Sequence, residues 1–451
     1  MKIGLISFHS FYKPGGVKRH VLGLHQEFKK RGIYSKIIVP RRESSENYGK
    51  DVILLGTSFP VTVDGTQADF DINFNPLAID QVLSKEKFDI LHFHNFIPPS
   101  ALQILISHFA SNTLNILTIH ANVEQNKFLR KSGFWHLCKK IIQWKIDGII
   151  GVAPLTLRDS EDFKGPKIVI PNGIDLEEFN PKVPKLKKFL DSKINILFVG
   201  RIEERKGLIY LLKAFKILAK KFSNTELQSR EATRRDKSLL HPSLRLGQVK
   251  KRTKSSSPLR LIIVGEGKLK KDCQNYVKEN NLKEVYFEGA KMGQELVSYY
   301  NSCDIFCSPA IFGESFGLIL LEAMACQKPV VAFANQGYEQ FLKGLRPAHH
   351  PPAFGGPLKG ERFLAKPKDF KELAQKLEIL IKNPKLREEM GEWGITQAKK
   401  YSWPKIADQI LGFYKICQKQ KEKRRPKPLF LKAILNKVDA VLQKDILDWL
   451  R

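Results

Sequence analysis

Glu314 and Glu322, with seven residues between them in Gly313-Glu-Ser-Phe-Gly-Leu-Ile-Leu-Leu-Glu-Ala-Met-Ala325, carry the strongest chemical signal in this chain. Leu318, Leu320, Leu321 and Met324 give a helix there a broad apolar surface, so Glu322 sits in apolar company. A carboxylate in that setting is costly unless it accepts hydrogen bonds, for example from ribose hydroxyls. Glu314, at the helix mouth, is placed to take sugar hydroxyls. The amides that follow it, at Phe316, Gly317 and Leu318, would face phosphates at the positive end of the helix. The bland alternative is a capping glutamate followed by a satisfied core one.

Arg201 and Lys206 follow an apolar strand in Gly200-Arg-Ile-Glu-Glu-Arg-Lys-Gly207. Two cations on a loop entering a helix suit a leaving diphosphate, whose charge grows as a glycosidic bond breaks. Arg205 reads as part of a solvated turn. Gly15 and Gly16 follow the first strand, where paired glycines let backbone amides approach a diphosphate ahead of a helix. His120 ends the strand Thr118-Ile-His120 and is placed to bond the transferring sugar or the acceptor. Of His92 and His94, only one is expected to share a face with the cleft. No metal ligand set is expected. Asp69-Phe-Asp71 sits in a polar stretch without a strand pattern and is read as no metal motif, and His349-His350 sits in a proline loop.

These residues need strands that end at a common edge. Lys2 to Phe8, Ser35 to Val39, Ile90 to His94, Asn115 to His120, Gly148 to Val152 and Lys167 to Ile170 read as strands separated by helical stretches. A second alternating unit runs through Ile196 to Gly200, Leu261 to Val264, Val285 to Phe287, Asp304 to Cys307 and Pro329 to Ala332. No hairpin turns stand between them, which implies largely parallel sheets covered on both faces. The expectation is α/β: two Rossmann-like, doubly wound domains facing across a cleft, with ligands beyond the strands' carboxyl ends. Residues 1–178 form the first domain and 194–400 the second, joined by a Lys- and Pro-rich linker. Segments 226–258 and 345–360 read as insertions, the first as disordered, and 417–451 as a basic amphipathic tail.

At 451 residues the chain calls for two or three domains. The formal charge of +30 is concentrated. Gln228 to Arg260 holds ten basic and two acidic residues, and Lys415 to Lys437 nine and one. Without a helix-turn-helix, finger or RNA-recognition signature, nucleic acid is not the expected partner. Anionic lipid is preferred, because Lys127 to Trp144 and the tail both mix cations with aromatic and aliphatic residues. The six scattered cysteines lack metal or redox spacing, the N-terminus is no secretory signal, and no apolar stretch is long enough to span a bilayer. The expected location is the cytoplasm, with peripheral attachment to the inner face of the membrane.

Together these motifs resemble family 4 of the retaining glycosyltransferases, of GT-B fold. The markers are Gly15-Gly16-Val17, Thr118-Ile-His120, Pro171-Asn-Gly-Ile-Asp175, Gly200-Arg201 with Lys206-Gly207, Gly265-Glu-Gly267, and Glu314 with Glu322. They occur in family order, and the block around Glu314 looks most like bacterial mannosyltransferases acting on phosphatidylinositol. The resemblance implies that Gly16, Arg201 and Lys206 bind the donor diphosphate. It implies that Glu314 holds the donor sugar, Glu322 the ribose, and that His120 contacts the transferring sugar. It further implies retention by same-face attack with no metal, cofactor or enzymic nucleophile, a nucleotide-sugar donor, and a lipid or glycan acceptor. A last helix, 403–416, would cross back onto the first domain. No counterpart of a guanine-reading lysine stands in Glu288 to Tyr300, so GDP-mannose is a preference only. The competing readings are a sugar-nucleotide epimerase of the same fold and a non-catalytic nucleotide-sugar or membrane binder.

Overall fold

The computed structural model describes residues 1–12, 15–63, 66–120, 133–238, 258–344 and 363–423. The chain builds two α/β lobes, each on one twisted sheet. In the first, the strands are β1 (Lys2–Ser7), β2 (Tyr34–Arg41), β3 (Val52–Val63), β4 (Thr66–Ile72), β5 (Ile90–His94), β6 (Leu114–Ile119), β7 (Gly148–Gly151) and β8 (Lys167–Val169). Its helices are α1 (Gly16–Lys30), α2 (Pro76–Glu86), α3 (Ser100–Ile106) and α4 (Gly133–Lys145). The sheet order is β4-β3-β2-β1-β5-β6-β7-β8, parallel except for the β3–β4 pair. Every residue of β5, Ile-Leu-His-Phe-His, is buried, as a central strand covered on both faces requires.

The second lobe holds β9 (Ile194–Val199), β10 (Leu259–Val264), β11 (Val285–Gly289), β12 (Ile305–Ser308), β13 (Val330–Phe333) and β14 (Leu364–Ala365), in the order β11-β10-β9-β12-β13-β14. Its helices are α5 (Leu208–Ser238), α6 (Lys270–Glu279), α7 (Gly293–Ser302), α8 (Leu318–Ala325), α9 (Gln336–Gly344), α10 (Phe370–Lys382) and α11 (Pro384–Ala398). All its strand pairs are parallel. In each sheet the strand order reverses beside the first strand, between β1 and β5 and between β9 and β12. Crevices at those points are where such sheets take ligands. The two-lobed architecture is the expected one.

The last helix, α12 (Trp403–Lys423), returns to the first lobe. Trp403, Ile406, Ile410, Phe413, Tyr414 and Cys417 pack with Val21, Leu24 and Phe28 of α1 and with Ile116 of β6. Gly148 and Gly173 make this possible. A Cβ would lie 2.3 Å from the Cys417 sulfur at the first and 2.5 Å from the Trp403 ring at the second.

Three expectations need correction. The β3–β4 pair is an antiparallel hairpin in register from Thr57↔Ile72 to Val63↔Thr66. Asp69 and Asp71 therefore lie on a strand, where Asp69 pairs with Arg42 and Asp71 is buried. Helix α5 continues to Ser238, so the segment read as disordered from 226 begins as helix. The crossing helix extends past 416 to Lys423, which makes Cys417 a core residue rather than the start of a tail. The remaining parts of both insertions, the tail from 424, and residues 121–132, which include the start of the basic–aromatic stretch at Lys127, lie outside the described residues.

Candidate functional site

Strand β9 ends at Val199, and Gly200 and Arg201 follow. A short 3-10 turn, Glu204–Lys206, then aims two cations back over the sheet edge before α5 starts. Gly207 ends that turn in the left-handed region, at φ +67. A Cβ there would stand 2.1 Å from the carbonyl oxygen of Pro309, just past β12, so the turn rests directly on the neighbouring strand's exit. The backbone hydrogen bond from Ile311 N to Arg205 O, 2.7 Å, fixes the same contact.

Lys206 Nζ donates to Glu314 Oε1 at 2.6 Å, and Arg205 donates to the same oxygen at 3.1 Å. Arg205 also binds Glu203 at 2.5 Å and reaches the Gly313 carbonyl. Lys206 and Glu314 are each 12% exposed, so the pair is largely desolvated yet open to one side. Arg201, 48% exposed, leans on Glu203 at 3.3 Å. Burial holds its guanidinium pKa below the usual value, the Glu203 charge acting the other way. Three cations and two carboxylates thus share one crevice edge.

Glu322 lies one helix deeper and is 3% exposed. Tyr300 donates to its Oε2 at 2.8 Å, and Arg19 of α1 pairs with its Oε1 across the lobe boundary. Burial first, then the Glu322 charge, drives the Tyr300 hydroxyl pKa well up. Gly317 caps α8 at φ +96, a value that favours glycine, and a Cβ there would press on the Tyr338 ring at 2.9 Å. Phe316 turns its side chain into the core, its ring tilted against Phe341 at 4.9 Å and Tyr401 at 5.6 Å. Only its backbone stays near the helix mouth. A Cβ on Gly16 would meet Leu318 Cδ1 at 3.4 Å, so the starts of α1 and α8 face one another. Two helix N-termini, capped by Gly15 and Gly317, therefore open toward one place.

On the first lobe, His120 follows β6 and its ring Nε2 lies 3.1 Å from His94 Nδ1. His92 and His94 are two apart on β5 and point the same way, with rings 4.3 Å apart. The expectation that only one of them shares the cleft face is therefore corrected. Residues i and i+2 of a strand lie on one face. His92 is the deeper of the two, bonded to Thr118 and, through Nδ1, to the Tyr414 hydroxyl of α12, both at 2.6 Å. Helix α1 adds His20, which contacts Asn172 Oδ1 at 2.8 Å. Burial lowers the pKa of His20 to about 4 and of His92 to about 3, and it holds those of His94 and His120 well below the ordinary imidazole value. These imidazoles are neutral at pH 7.

Sequence reasoning missed Arg205, Arg19, His20 and Asn172. Arg205 was set aside as a solvated turn, yet it is only 15% exposed. Its spacing offered no signal, because only the folded turn brings it beside Lys206 onto the same Glu314 oxygen. Asn172 lies inside the quoted Pro171-Asn-Gly segment, and His20 one turn into the helix after the paired glycines.

Comparison with known proteins falls on both lobes. The family model "Glycosyltransferase Family 4" matches residues 14–178, and "Glycosyl transferases group 1" matches 244–397. A phosphatidyl-myo-inositol mannosyltransferase of Mycobacterium leprae is 28% identical over 430 residues, covering 92% of this chain and 96% of that protein. The enzyme of the same name from Mycobacterium tuberculosis is 27% identical over 421 residues, with the same coverage. Among solved structures, sucrose-phosphate synthase from Thermosynechococcus elongatus superposes with a TM-score of 0.64 at 20% identity, covering 92% of this chain and 98% of that one. HepE of Anabaena in complex with UDP superposes at 0.63 and 16%, covering 92% and 99%. These structures share the GT-B fold, with two facing Rossmann-like lobes. Taken with the two matched lobes and the near full-length relatives, this places the chain in the family 4 glycosyltransferases.

Proposed function

We propose that the protein transfers a hexose, mannose by preference, from a nucleotide-diphosphate sugar to a lipid-linked or glycan acceptor, with retention of anomeric configuration. The observation that carries this reading is the Lys206–Glu314–Arg205 cluster at the carboxyl ends of β9 and β12, opposite the start of α1. In the proposed reaction the diphosphate lies between the α1 and α8 N-termini, with Gly15, Gly16 and the amides of Phe316, Gly317 and Leu318 toward its oxygens. Arg201 and Lys206 oppose the charge that grows on it as the anomeric bond lengthens. Glu314 accepts from donor-sugar hydroxyls and Glu322 from the ribose. His120, neutral, hydrogen-bonds the sugar near the reacting carbon. The acceptor hydroxyl attacks the anomeric carbon from the face the diphosphate leaves. Its proton passes to a leaving phosphate oxygen, so no enzymic base is needed and the two cations supply the charge compensation.

The choice of mannose and of an inositol-bearing lipid rests on what the mycobacterial relatives are named for. Docking at the inner face of the membrane rests on the basic–aromatic stretch from Lys127 to Trp144 and on the tail beyond Lys423. Among the described residues no helix is long and apolar enough to cross a membrane. The test incubates the protein with GDP-, UDP- and ADP-sugars and a lipid extract. Acceptor-dependent release of nucleoside diphosphate is the expected result. An epimerised free sugar formed without acceptor, or no turnover with any donor, overturns the proposal. Flotation with anionic liposomes at low and high salt tests docking separately, and equal recovery in the soluble fraction with and without anionic lipid ends that part.

A further inference from the structure

The first lobe brings three histidines from three separate elements to one point. His20 comes from α1, His94 from the end of β5, and His120 from just past β6. One ring nitrogen from each lies within 4.8 Å of the others. The rings of His20 and His120 have centroids 4.7 Å apart, edge to face, and those of His20 and His94 are 5.2 Å apart. His20 and His94 are buried, and His120 at the strand end is mostly so.

The hydrogen bonding of this cluster is incomplete in a specific way. His20 Nε2 and His94 Nε2 are buried and have no hydrogen-bond partner among the described residues. An unpaired buried polar atom costs on the order of 1–3 kcal/mol, so two in adjacent rings call for a ligand. The His20 tautomer follows from its partner. Asn172 Oδ1 can only accept, so Nδ1 carries the proton and Nε2 presents a bare lone pair. A ring whose far N–H is held by an amide or carboxylate oxygen, with the near nitrogen free, is the outer-shell arrangement of metal-bound histidine. The His94–His120 contact shares one proton between two neutral rings, leaving a further lone pair in the cluster in either orientation.

We infer that His20, His94 and His120 form a binding site for a borderline transition-metal cation of the Zn2+ or Co2+ class. Neutral imidazole is the ligand such ions prefer, and three protein ligands leave one position for water or a hydroxyl. Metal–nitrogen bonds of roughly 2.0–2.1 Å require the three rings to close inward from their present spacing. The site would restrain transfer rather than drive it. His120 is the ring assigned above to the transferring sugar, and coordination withdraws one of its nitrogens. This consequence rests on the proposed function, whereas the binding itself does not.

The probe is Co2+ alone, added to the full chain after EDTA treatment and dialysis. The expected result is one Co2+ per chain with the visible ligand-field bands of a nitrogen-ligated, low-coordinate ion, displaced by Zn2+. Zn2+ should also raise the melting temperature reversibly. His94→Ala should weaken Co2+ binding at least about tenfold, and Asn172→Ala by about 10- to 100-fold, the range for outer-shell partners. Should His94→Ala not fold by circular dichroism, the wild-type spectrum and Asn172→Ala still decide the matter. The adjacent pair His349-His350 is the competing site in the chain, so His349→Ala with His350→Ala should leave binding unchanged. A wild-type chain without the cobalt bands overturns the inference. So does a folded His94→Ala that binds normally, or loss of binding in the His349 and His350 double variant. Transfer inhibited by Zn2+ and restored by EDTA would connect the site to activity. A protein that binds cobalt but transfers nothing would fail the functional proposal and leave the metal site standing.

Discussion

At the ends of β5 and β6 the first lobe offers the cleft His94 and His120, neutral rings backed by His20 and His92. At the ends of β9 and β12 the second lobe offers Arg201, Arg205, Lys206, Glu203 and Glu314, a set of opposed charges. The same sheet topology supports both edges, and they meet desolvation in different ways. Imidazoles with nearby pKa values discard their protons when buried. Lysine, arginine and glutamate keep their charges by supplying one another with partners. One edge suits uncharged hydroxyls, and the other suits an anion able to take over the cations now held by Glu314.

The largest effect that would sharpen this contrast is loss of a member of the second-lobe charged set. Lys206→Ala should lower turnover by about 100- to 1000-fold, as removal of a charge-stabilising donor does, and Glu314→Ala, which removes the acceptor for the donor-sugar hydroxyls, by a similar factor, with unchanged circular dichroism. Steady-state rates within a few-fold of wild type in either variant would break the division of labour.

Acid should separate the lobes by stability. His20 and His92 have pKa values depressed on folding. Their contribution is therefore present above about 6.5 and is lost as pH falls toward 4 and 3. The His20 shift alone corresponds to on the order of 3 kcal/mol. The described second-lobe residues include no histidine. Its shifted carboxyls, Glu288 and Glu378, and Asp191 just before β9 have depressed pKa values and lose their contribution only as pH falls below the ordinary carboxylate range. Hydrogen exchange at pH 5, corrected for intrinsic rates, should show β5 and β6 opening well before β9 and β10. Equal protection would contradict the comparison.

Asp71 gives an effect of opposite sign within the first lobe, smaller than that of His20 and His92 together. Burial raises its carboxyl pKa to about 7, so stability falls as pH rises from about 4 through 7. Asp71→Asn should raise the melting temperature at pH 8, by at most about 4 kcal/mol in stability, with the gain gone below pH 4. The smallest effect is expected at the lobe boundary. Arg19 occupies the Glu322 carboxylate proposed for the ribose, so Arg19→Ala should tighten donor binding by roughly two- to tenfold in calorimetry. Weaker binding would mean that Arg19 itself holds the donor.

The alternation of strands and helices made the two lobes legible, because buried parallel strands such as Ile-Leu-Phe-Val read as continuous apolar runs. The β3–β4 hairpin was not legible in that way, since Gly56, Pro60 and the polar residues of β4 break both kinds of periodicity. The one local hairpin signal in that stretch is the dipeptide Asp64-Gly65 between Val63 and Thr66. The crevice cations Arg201 and Lys206 were found because strand, glycine and helix bracket them. Arg205 and Arg19 were not, because their partners lie 109 and 303 residues away. His92 and His94 were misjudged by a rule that the sequence itself supplies, the two-residue repeat of a strand.

Helix α12 is the last described element of the chain, yet it seals the lobe that the chain begins. Tyr414, which supplies one of the two hydrogen bonds to His92, leaves the ribosome 322 residues after it. During synthesis the opening lobe must therefore wait, its α1 flank uncovered, until the closing one has emerged in full. Shortening the protein from its C-terminal end into α12 would injure the lobe translated first and spare the one translated last.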